Sequence, residues 1–234
     1  MVYGETGKKP LMETIKSRMV CFWHKISVCD NNKLSTKILT FQKKLHEQNL
    51  YNSPWLKKIE NILNSCGMRN VWMNPEVFNS EWLKKALDLR LSDMYKQEWQ
   101  NTLANKSSCI LYKTFKTDMK LENYLLLLDN AERINLCKFR CRNTKTPVVL
   151  LGYAVRNIPY ENRICSLCNM NEIGDEYHYL LKCTYFEMQR NRYISNFYRR
   201  NPNMLKFSLL MQNNDANILK NLSKFISIIN LKFR

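Results

Sequence analysis

The sequence predicts a mainly α-helical protein, a multi-helix bundle with little or no sheet. Three observations support this fold class. The 234 residues include only 5 glycines and 6 prolines, which leaves few positions for tight turns. Hydrophobic residues make up 45% of the chain and aromatic residues 12%, enough for a folded core. Along most of the chain the apolar residues recur at the three- and four-residue spacing of a helix.

The first half of the chain predicts four helices. Residues 10–27 and 34–45 each place apolar side chains on one helical face. The third helix begins at Ser53-Pro54, which supplies an N-cap and a first-turn proline, and it ends at Gly67. A longer helix runs from Trp82 to Trp99. We take this half, residues 1–105, as one helical region.

The second half predicts helices over 120–128, 131–142, 185–198, 203–212 and 215–232. Residues 146–153 (Thr-Pro-Val-Val-Leu-Leu-Gly-Tyr) are the best strand candidate. Cys137 and Cys141, one turn apart, lack partners nearby and are interpreted as core residues. Residues 106–200 form a second region and residues 201–234 a third, the C-terminal helices.

Four residues are spaced like the ligands of a metal ion. Cys165, Cys168, His178 and Cys183 follow the pattern C-x2-C-x9-H-x4-C. Two such pairs, separated by a short polar loop with one glycine, are how a single chain surrounds Zn²⁺ tetrahedrally. The alternative is that these cysteines are small buried hydrophobic residues. The metal interpretation adds a small zinc-binding knuckle over 165–183 to the helical bundle.

The local geometry of the second pair needs a distortion. Asp175 can cap a helix that begins at Glu176 and carries His178. On an ideal helix, His178 and Cys183 would lie about 140° apart and would not share a face. We therefore expect the helix to end, tighten or bend near Lys182. Three thiolates and one imidazole fill all four positions, so a single structural Zn²⁺ is expected.

The charge of the chain predicts an anionic partner. The 37 lysines and arginines and 20 acidic residues give a net charge of +17, typical of proteins that bind nucleic acid. The excess is uneven, with 9 basic and 2 acidic residues from 184 to 234 but 7 and 6 from 51 to 100. The candidate phosphate contacts flank the metal motif: Arg140, Arg142, Arg163, Lys182, Arg190 and Arg192. Alternatively these arginines are simply solvated and the aromatic residues among them pack inward.

Several classes of protein are excluded or disfavoured by the sequence. An Asp-Asp pair, a P-loop and a dinucleotide-binding glycine motif are all missing, so we expect neither an enzyme nor a small-molecule substrate. No segment is long and apolar enough to span a membrane, and no lipid anchor stands out. The odd number of cysteines and the polar residues 1–9 predict reduced thiols in the cytoplasm or nucleus.

The motif and its flanks resemble the carboxy-terminal part of reverse transcriptases from non-LTR retrotransposons of the LINE and jockey-like type. The likeness covers about positions 1–190 and is strongest around the metal motif. The segments that carry it are Arg163–Cys168, Gly174–Cys183, Leu136–Arg140, Gly152-Tyr153 with Ile158-Pro159, Tyr3–Gly7, and Ser53–Leu56 through Cys66-Gly67.

The resemblance implies a zinc-binding region downstream of a polymerase domain, where it helps to hold element RNA and target DNA. It assigns a role only to the four ligand residues. Fingers, palm and endonuclease are missing from this chain, so by itself it is expected neither to polymerise nor to cut. RNA or DNA, and upstream reverse transcriptase domains, are the expected partners.

Two other functions compete with nucleic-acid binding. A zinc-ordered helical module could instead present an apolar surface to another protein. A zinc hydrolase is disfavoured because the predicted ligand set leaves no open coordination position for water.

Overall fold

The computed structural model describes residues 1–30, 32–150 and 158–233, and α-helices dominate these ranges. No helix in them combines the length and the apolar character needed to cross a bilayer. The α-helices are α1 Val2–Thr6, α2 Leu11–Ser27, α3 Leu34–Glu47, α4 Pro54–Ser65, α5 Arg69–Met73, α6 Ser80–Asn105, α7 Tyr112–Phe115, α8 Tyr124–Leu127, α9 Asn130–Arg140, α10 Pro147–Leu150, α11 Glu187–Tyr193, α12 Asn196–Arg199, α13 Met204–Met211 and α14 Ala216–Lys232. Short 3₁₀ turns cover Pro75–Val77, Ser107–Cys109, Tyr160–Asn162 and Thr184–Phe186, and a π-helical turn covers His178–Lys182.

The predicted helical fold is confirmed, and no strand occurs in the described ranges. Isolated antiparallel bridges join Thr6 to Leu121 and Ile164 to Ile173. The strand predicted over 146–153 is wrong where it is described, because α10 occupies Pro147–Leu150; the rest lies outside the described residues. A proline at the first helical position favours a helix start, and burial of Val148 stabilises it despite its β-branched side chain.

Two predicted helices are shorter than the sequence suggested. The helix predicted over 120–128 is reduced to the single turn α8, and the one over 185–198 is divided between α11 and α12. In the second case Ile194 is extended and buried, which breaks the helix. The lengths of these helices depend on which side chains are buried, and the spacing of apolar residues does not determine that.

The chain divides into two compact units, and the division falls within α6. We call Lys9–Trp99 the helical unit, and Met1–Lys8 together with 100–234 the metal unit. The three regions predicted from the sequence (1–105, 106–200 and 201–234) are continuous segments, whereas the metal unit combines two separate segments. The three regions stay a prediction. In the helical unit, α2, α4 and α6 bury leucines and isoleucines around Trp23 and Trp72, whose rings stack 5.2 Å apart.

The core of the metal unit lies between α9 and α14. Leu136 and Phe139 of α9 are buried together with the apolar face of α14, which includes Phe225 and Ile226. The segment that follows the metal motif joins this core through Phe186, whose ring meets Phe225 edge to face at 6.2 Å. The core of this unit therefore supports one side of the metal motif.

A buried charge cluster fixes the N-terminal segment inside the metal unit. Glu5 is 1% exposed and Arg140 is 2% exposed. Both carboxylate oxygens of Glu5 accept hydrogen bonds from Arg140, at 2.8 Å from Nε and 3.2 Å from Nη2. The hydroxyls of Tyr112 and Tyr124 donate to the same carboxylate at 2.8 and 2.6 Å. This network gives a buried acid a full set of partners, as its removal from water requires.

The cluster extends from Glu5 to a second carboxylate and to a helix end. Arg140 also donates to Glu122, at 2.7 Å, and to the carbonyl of Met211 at the end of α13. Glu122 pairs in turn with Lys116, which is 2% exposed. Gly7 closes the segment with φ of +65°, and a Cβ there would lie 2.6 Å from the backbone nitrogen of Leu121. Residues 1–8 are thus an integral part of the metal unit.

Candidate metal centre

A hairpin-like turn presents the first ligand pair. The bridge between Ile164 and Ile173 brings the two sides of the loop together. The amide of Cys165 donates to the carbonyl of Glu172, and the amide of Gly174 donates to that of Arg163, each at 2.9 Å. Inside this turn the amide of Leu167 donates to the sulfur of Cys165 at 3.4 Å. Cys165 and Cys168 consequently face one point.

The second ligand pair depends on the π-helical turn. Asp175 caps its start, since its Oδ1 accepts from the amide of His178 at 2.8 Å, as predicted. The amide of Cys183 then donates to the carbonyl of His178 at 2.7 Å, a bond that spans five residues. Widening the helix to this spacing places residues five apart nearly above each other. The distortion expected near Lys182 is confirmed, and it removes the angular separation of His178 and Cys183.

The four side chains have the dimensions of a tetrahedral metal site. All four potential ligand atoms lie within 4.8 Å of one another. The sulfurs of Cys165 and Cys183 are 3.9 Å apart, and the sulfur of Cys168 is 3.3 Å from Nε2 of His178. Metal–sulfur bonds of about 2.3 Å and metal–nitrogen bonds of about 2.0 Å give edges of roughly 3.8 and 3.6 Å. The cluster can therefore hold a metal ion without rearrangement of the backbone.

A carboxylate orients the histidine of the cluster. Glu172 accepts from Nδ1 of His178 at 3.2 Å and from Nζ of Lys182 at 2.5 Å. The bond to Lys182 is the main reason why the pKa of Glu172 is lowered. A carboxylate that accepts from Nδ1 of a ligating histidine fixes the tautomer of the imidazole and leaves Nε2 free for the metal. Glu172 carries no sequence signal of this role beyond its place in the polar loop.

Burial differs between the cysteines and shapes their acidity. Cys183 is fully buried, and desolvation raises the pKa of its thiol to about 12. At the more exposed Cys168, desolvation also opposes the thiolate, but hydrogen bonds from the backbone and from neighbouring thiols outweigh it and lower the pKa. Metal binding must displace the proton of Cys183. Metal affinity is therefore expected to decrease as the pH is lowered.

Glycine is required next to the first ligand. A Cβ on Gly174 would lie 2.4 Å from the hydroxyl of Tyr179 and 3.1 Å from Cα of Cys165. The ring of Tyr179 is fully buried and packs edge to face on Phe186 at 6.3 Å. The glycine therefore lets the loop approach the aromatic core.

Three of the six predicted phosphate contacts are buried. Arg140 belongs to the buried charge cluster and cannot meet a phosphate, so that prediction is corrected. Arg142 is 9% exposed and forms an ion pair with buried Glu176 at 3.3 Å. Arg190 is 6% exposed and lies under the π-helical turn. Arg140 and Arg190 use their positive charge to satisfy buried acceptors, whereas Arg142 keeps Nη2 without a hydrogen bond to any described residue.

The other three predicted contacts keep some exposure. Arg192 is exposed, and its guanidinium lies 5.5 Å from the ring centroid of Tyr193. Lys182 is half-buried and paired with Glu172. Arg163 is half-buried and donates to the carbonyls of Ile158 and Val148, each at 2.9 Å.

Arg190 and Arg192 provide a sharp test of these assignments. Arg190 donates to the carbonyl of Leu180 at 2.9 Å and to that of Cys183 at 2.5 Å, which also accepts from the amide of Phe186 at 3.2 Å. We expect Arg190→Gln to lower the free energy of unfolding by about 2 kcal/mol, because buried acceptors lose charged donors. The matched change Arg192→Gln should alter it by less than about 0.5 kcal/mol. Urea unfolding of both variants measures the difference, and equal effects would contradict the assignment.

No family model, no curated protein and no solved structure matches this chain in comparisons with known proteins. Its function is therefore argued from its own residues.

Proposed function

We propose that this chain is a non-catalytic, zinc-stabilised nucleic-acid-binding segment of a retrotransposon-derived reverse transcriptase that holds element RNA or target DNA. Zinc is the proposed metal because three thiolates and one imidazole in a compact tetrahedral arrangement match its preferred structural sites. A set of four protein ligands has no position for a reactive water, which supports a structural role for the metal.

The excess of exposed positive charge on the metal unit carries this proposal. Exposed lysines and arginines outnumber exposed acidic side chains about two to one, and the phosphate backbone binds such surfaces. Among the described residues of this unit, the exposed basic ones are Lys8, Lys106, Lys113, Lys120, Lys138, Lys145, Arg192, Arg200, Lys220, Lys224 and Lys232. The exposed acidic residues are Asp118, Asp129, Glu161, Glu187 and Asp215.

Aromatic side chains accompany this charge beyond the metal motif. Phe197 is 58% exposed, and Nζ of Lys206 lies 5.3 Å from its ring centroid. We define the basic–aromatic surface as Arg192, Tyr193, Phe197, Arg200 and Lys206. Exposed aromatic rings beside cations stack on unpaired bases in many proteins that bind single strands.

The proposed function predicts salt-dependent binding that depends on this surface. The triple variant Arg192→Glu, Arg200→Glu and Lys206→Glu should weaken binding to a single-stranded RNA or DNA at least tenfold at low salt. It should also reduce the slope of log affinity against log salt, because fewer counterions are released. Fluorescence anisotropy at several salt concentrations measures both quantities.

The control for that experiment carries the same change in charge elsewhere. Lys58→Glu, Lys85→Glu and Lys96→Glu reverse three exposed lysines of the helical unit that lie within residues 51–100, a stretch with 7 basic and 6 acidic residues. This variant should lose clearly less affinity. Absence of binding by the unaltered protein at low salt, or equal losses in both variants, would contradict the proposal.

One observation favours the alternative of a protein-interaction module. Leu34, Ile38 and Phe41 form a stripe on α3 and are 72%, 48% and 63% exposed. Their spacing places them on one helical face, a common way to contact a partner helix. Substitution of all three by serine should spare nucleic-acid binding under the first proposal and abolish partner binding under the second.

A further inference from the structure

We propose that a cavity beside the metal motif binds one unpaired nucleotide, with its phosphate against two guanidinium groups and its base against the side chain of Val149. The inference rests on the proposed function and specifies the ligand of the metal unit. The cavity has a volume of about 300 Å³, and its lining includes Ser107, Ser108, Arg142, Val149, Tyr160 and Arg163. That volume is at the small end of ligand-binding cavities and exceeds what a bare phosphate fills.

The two guanidinium groups are held in place by the protein. Nε of Arg142 lies 3.3 Å from the carboxylate of Glu176, and its Nη1 donates to the carbonyl of Ser108 at 3.3 Å. Nε and Nη1 of Arg163 donate to the carbonyls of Ile158 and Val148. Among the described residues, Nη2 of each arginine makes no hydrogen bond. The two guanidinium groups are therefore already oriented as donors, and an anion could bind without the cost of ordering them.

The charge of the cavity is positive. Arg142 is paired with the buried carboxylate of Glu176, whereas Arg163 has no acidic partner in the described part of the chain. The guanidinium carbons of Arg142 and Arg163 lie 5.5 and 5.9 Å from the ring centroid of Tyr160. The ring holds the two cations near each other, and a phosphate between them would offset their repulsion.

The rest of the lining suits a base. Val149 is half-buried and offers apolar surface, while Ser107 and Ser108 are exposed and carry hydroxyl groups. A base has apolar faces and polar edges, and guanidinium planes also stack on it. The exposed lysines Lys106 and Lys145 flank this lining in the sequence and can meet neighbouring phosphates of a strand.

The metal motif sets the position of the cavity wall. The hydroxyl of Tyr160 donates to Oδ2 of Asp175 at 2.7 Å, and Oδ1 of the same carboxylate caps the turn that carries His178. Glu176, the partner of Arg142, is the next residue. Metal binding and nucleotide binding are therefore expected to be coupled, each strengthening the other.

Binding of adenosine monophosphate, inorganic phosphate and adenosine to the full zinc-loaded chain tests the proposal. We expect the nucleotide to bind at least tenfold more tightly than either of its parts in isothermal titration. Arg163→Gln should reduce nucleotide binding at least tenfold. Ser107→Trp, which fills the rim without removing a wall contact, should do the same. Lys58→Gln in the helical unit is the matched control for charge and should leave it unchanged.

The outcomes separate this inference from the proposed function. Equal binding of phosphate and nucleotide, or full nucleotide binding by both Arg163→Gln and Ser107→Trp, overturns the nucleotide cavity. If a single-stranded RNA binds but the mononucleotide does not, the cavity is overturned and the proposed function stands. If the mononucleotide binds as expected and no strand binds, the proposed function fails instead.

Discussion

Cys183→Ser is expected to abolish stoichiometric metal binding and to destabilise the metal unit by roughly 5 kcal/mol or more. Cys183 is fully buried and follows directly on the π-helical turn. A serine hydroxyl cannot replace the thiolate, since at neutral pH it stays protonated and binds zinc weakly. Without the ion, the cluster would leave a buried thiol, a half-buried thiol and a buried imidazole without their common partner. Metal analysis of the purified protein and thermal unfolding measure the two effects.

Cys109→Ser is the matched control for this experiment. Cys109 is also a buried, free cysteine of the metal unit, but it lies outside the ligand cluster. Its substitution should cost about 1–2 kcal/mol, as for other buried polar replacements, and should leave the metal content unchanged. A Cys183→Ser protein that retains one metal ion per chain would refute the metal centre.

Arg140→Leu should destabilise the metal unit by about 3–5 kcal/mol, the second large effect we expect. The substitution leaves Glu5 buried without a cation and removes the donor to the carbonyl of Met211. Urea unfolding gives the change in free energy. The double variant with Glu5→Leu should recover part of the loss, because it removes the uncompensated charge. If the loss in the double variant equals the sum of the losses in Arg140→Leu and Glu5→Leu, the two residues are not coupled.

The dependence on pH gives an independent measure of the same pair. Burial opposes ionisation of Glu5, but the charge of Arg140 and the hydrogen bonds to the carboxylate outweigh it, so its pKa lies below the ordinary 4.5. Its contribution to stability is therefore present above about pH 4.5 and is lost as the pH falls further. In Arg140→Leu the carboxylate is protonated more easily. The stability difference between the two proteins should hence shrink in acid.

Part of the fold was predictable because it depends on short stretches of sequence. The Ser53 cap and the proline after it begin α4 where expected, with the amide of Leu56 donating to Ser53. The prediction of a strand over 146–153 was wrong because a pair of β-branched residues favours a strand only weakly. Here a proline at the first helical position and burial favour a helical turn instead. The ends of α8 and α11 depend on which side chains the rest of the unit buries.

The sequence by itself determined the helical class of this protein and the four residues of the candidate metal cluster. Both follow from local spacing: the four ligands lie within nineteen consecutive positions, from Cys165 to Cys183, and helical faces repeat every few residues. Only the tertiary structure decided what each arginine does. Arg190 and Arg192 look alike in sequence, yet one satisfies buried carbonyls and the other faces solvent. The carboxylate that pairs with Arg140 lies 135 residues away. The sequence states the net charge of the chain. Which charged side chains stay exposed to a partner depends on burial by segments that are distant in the sequence.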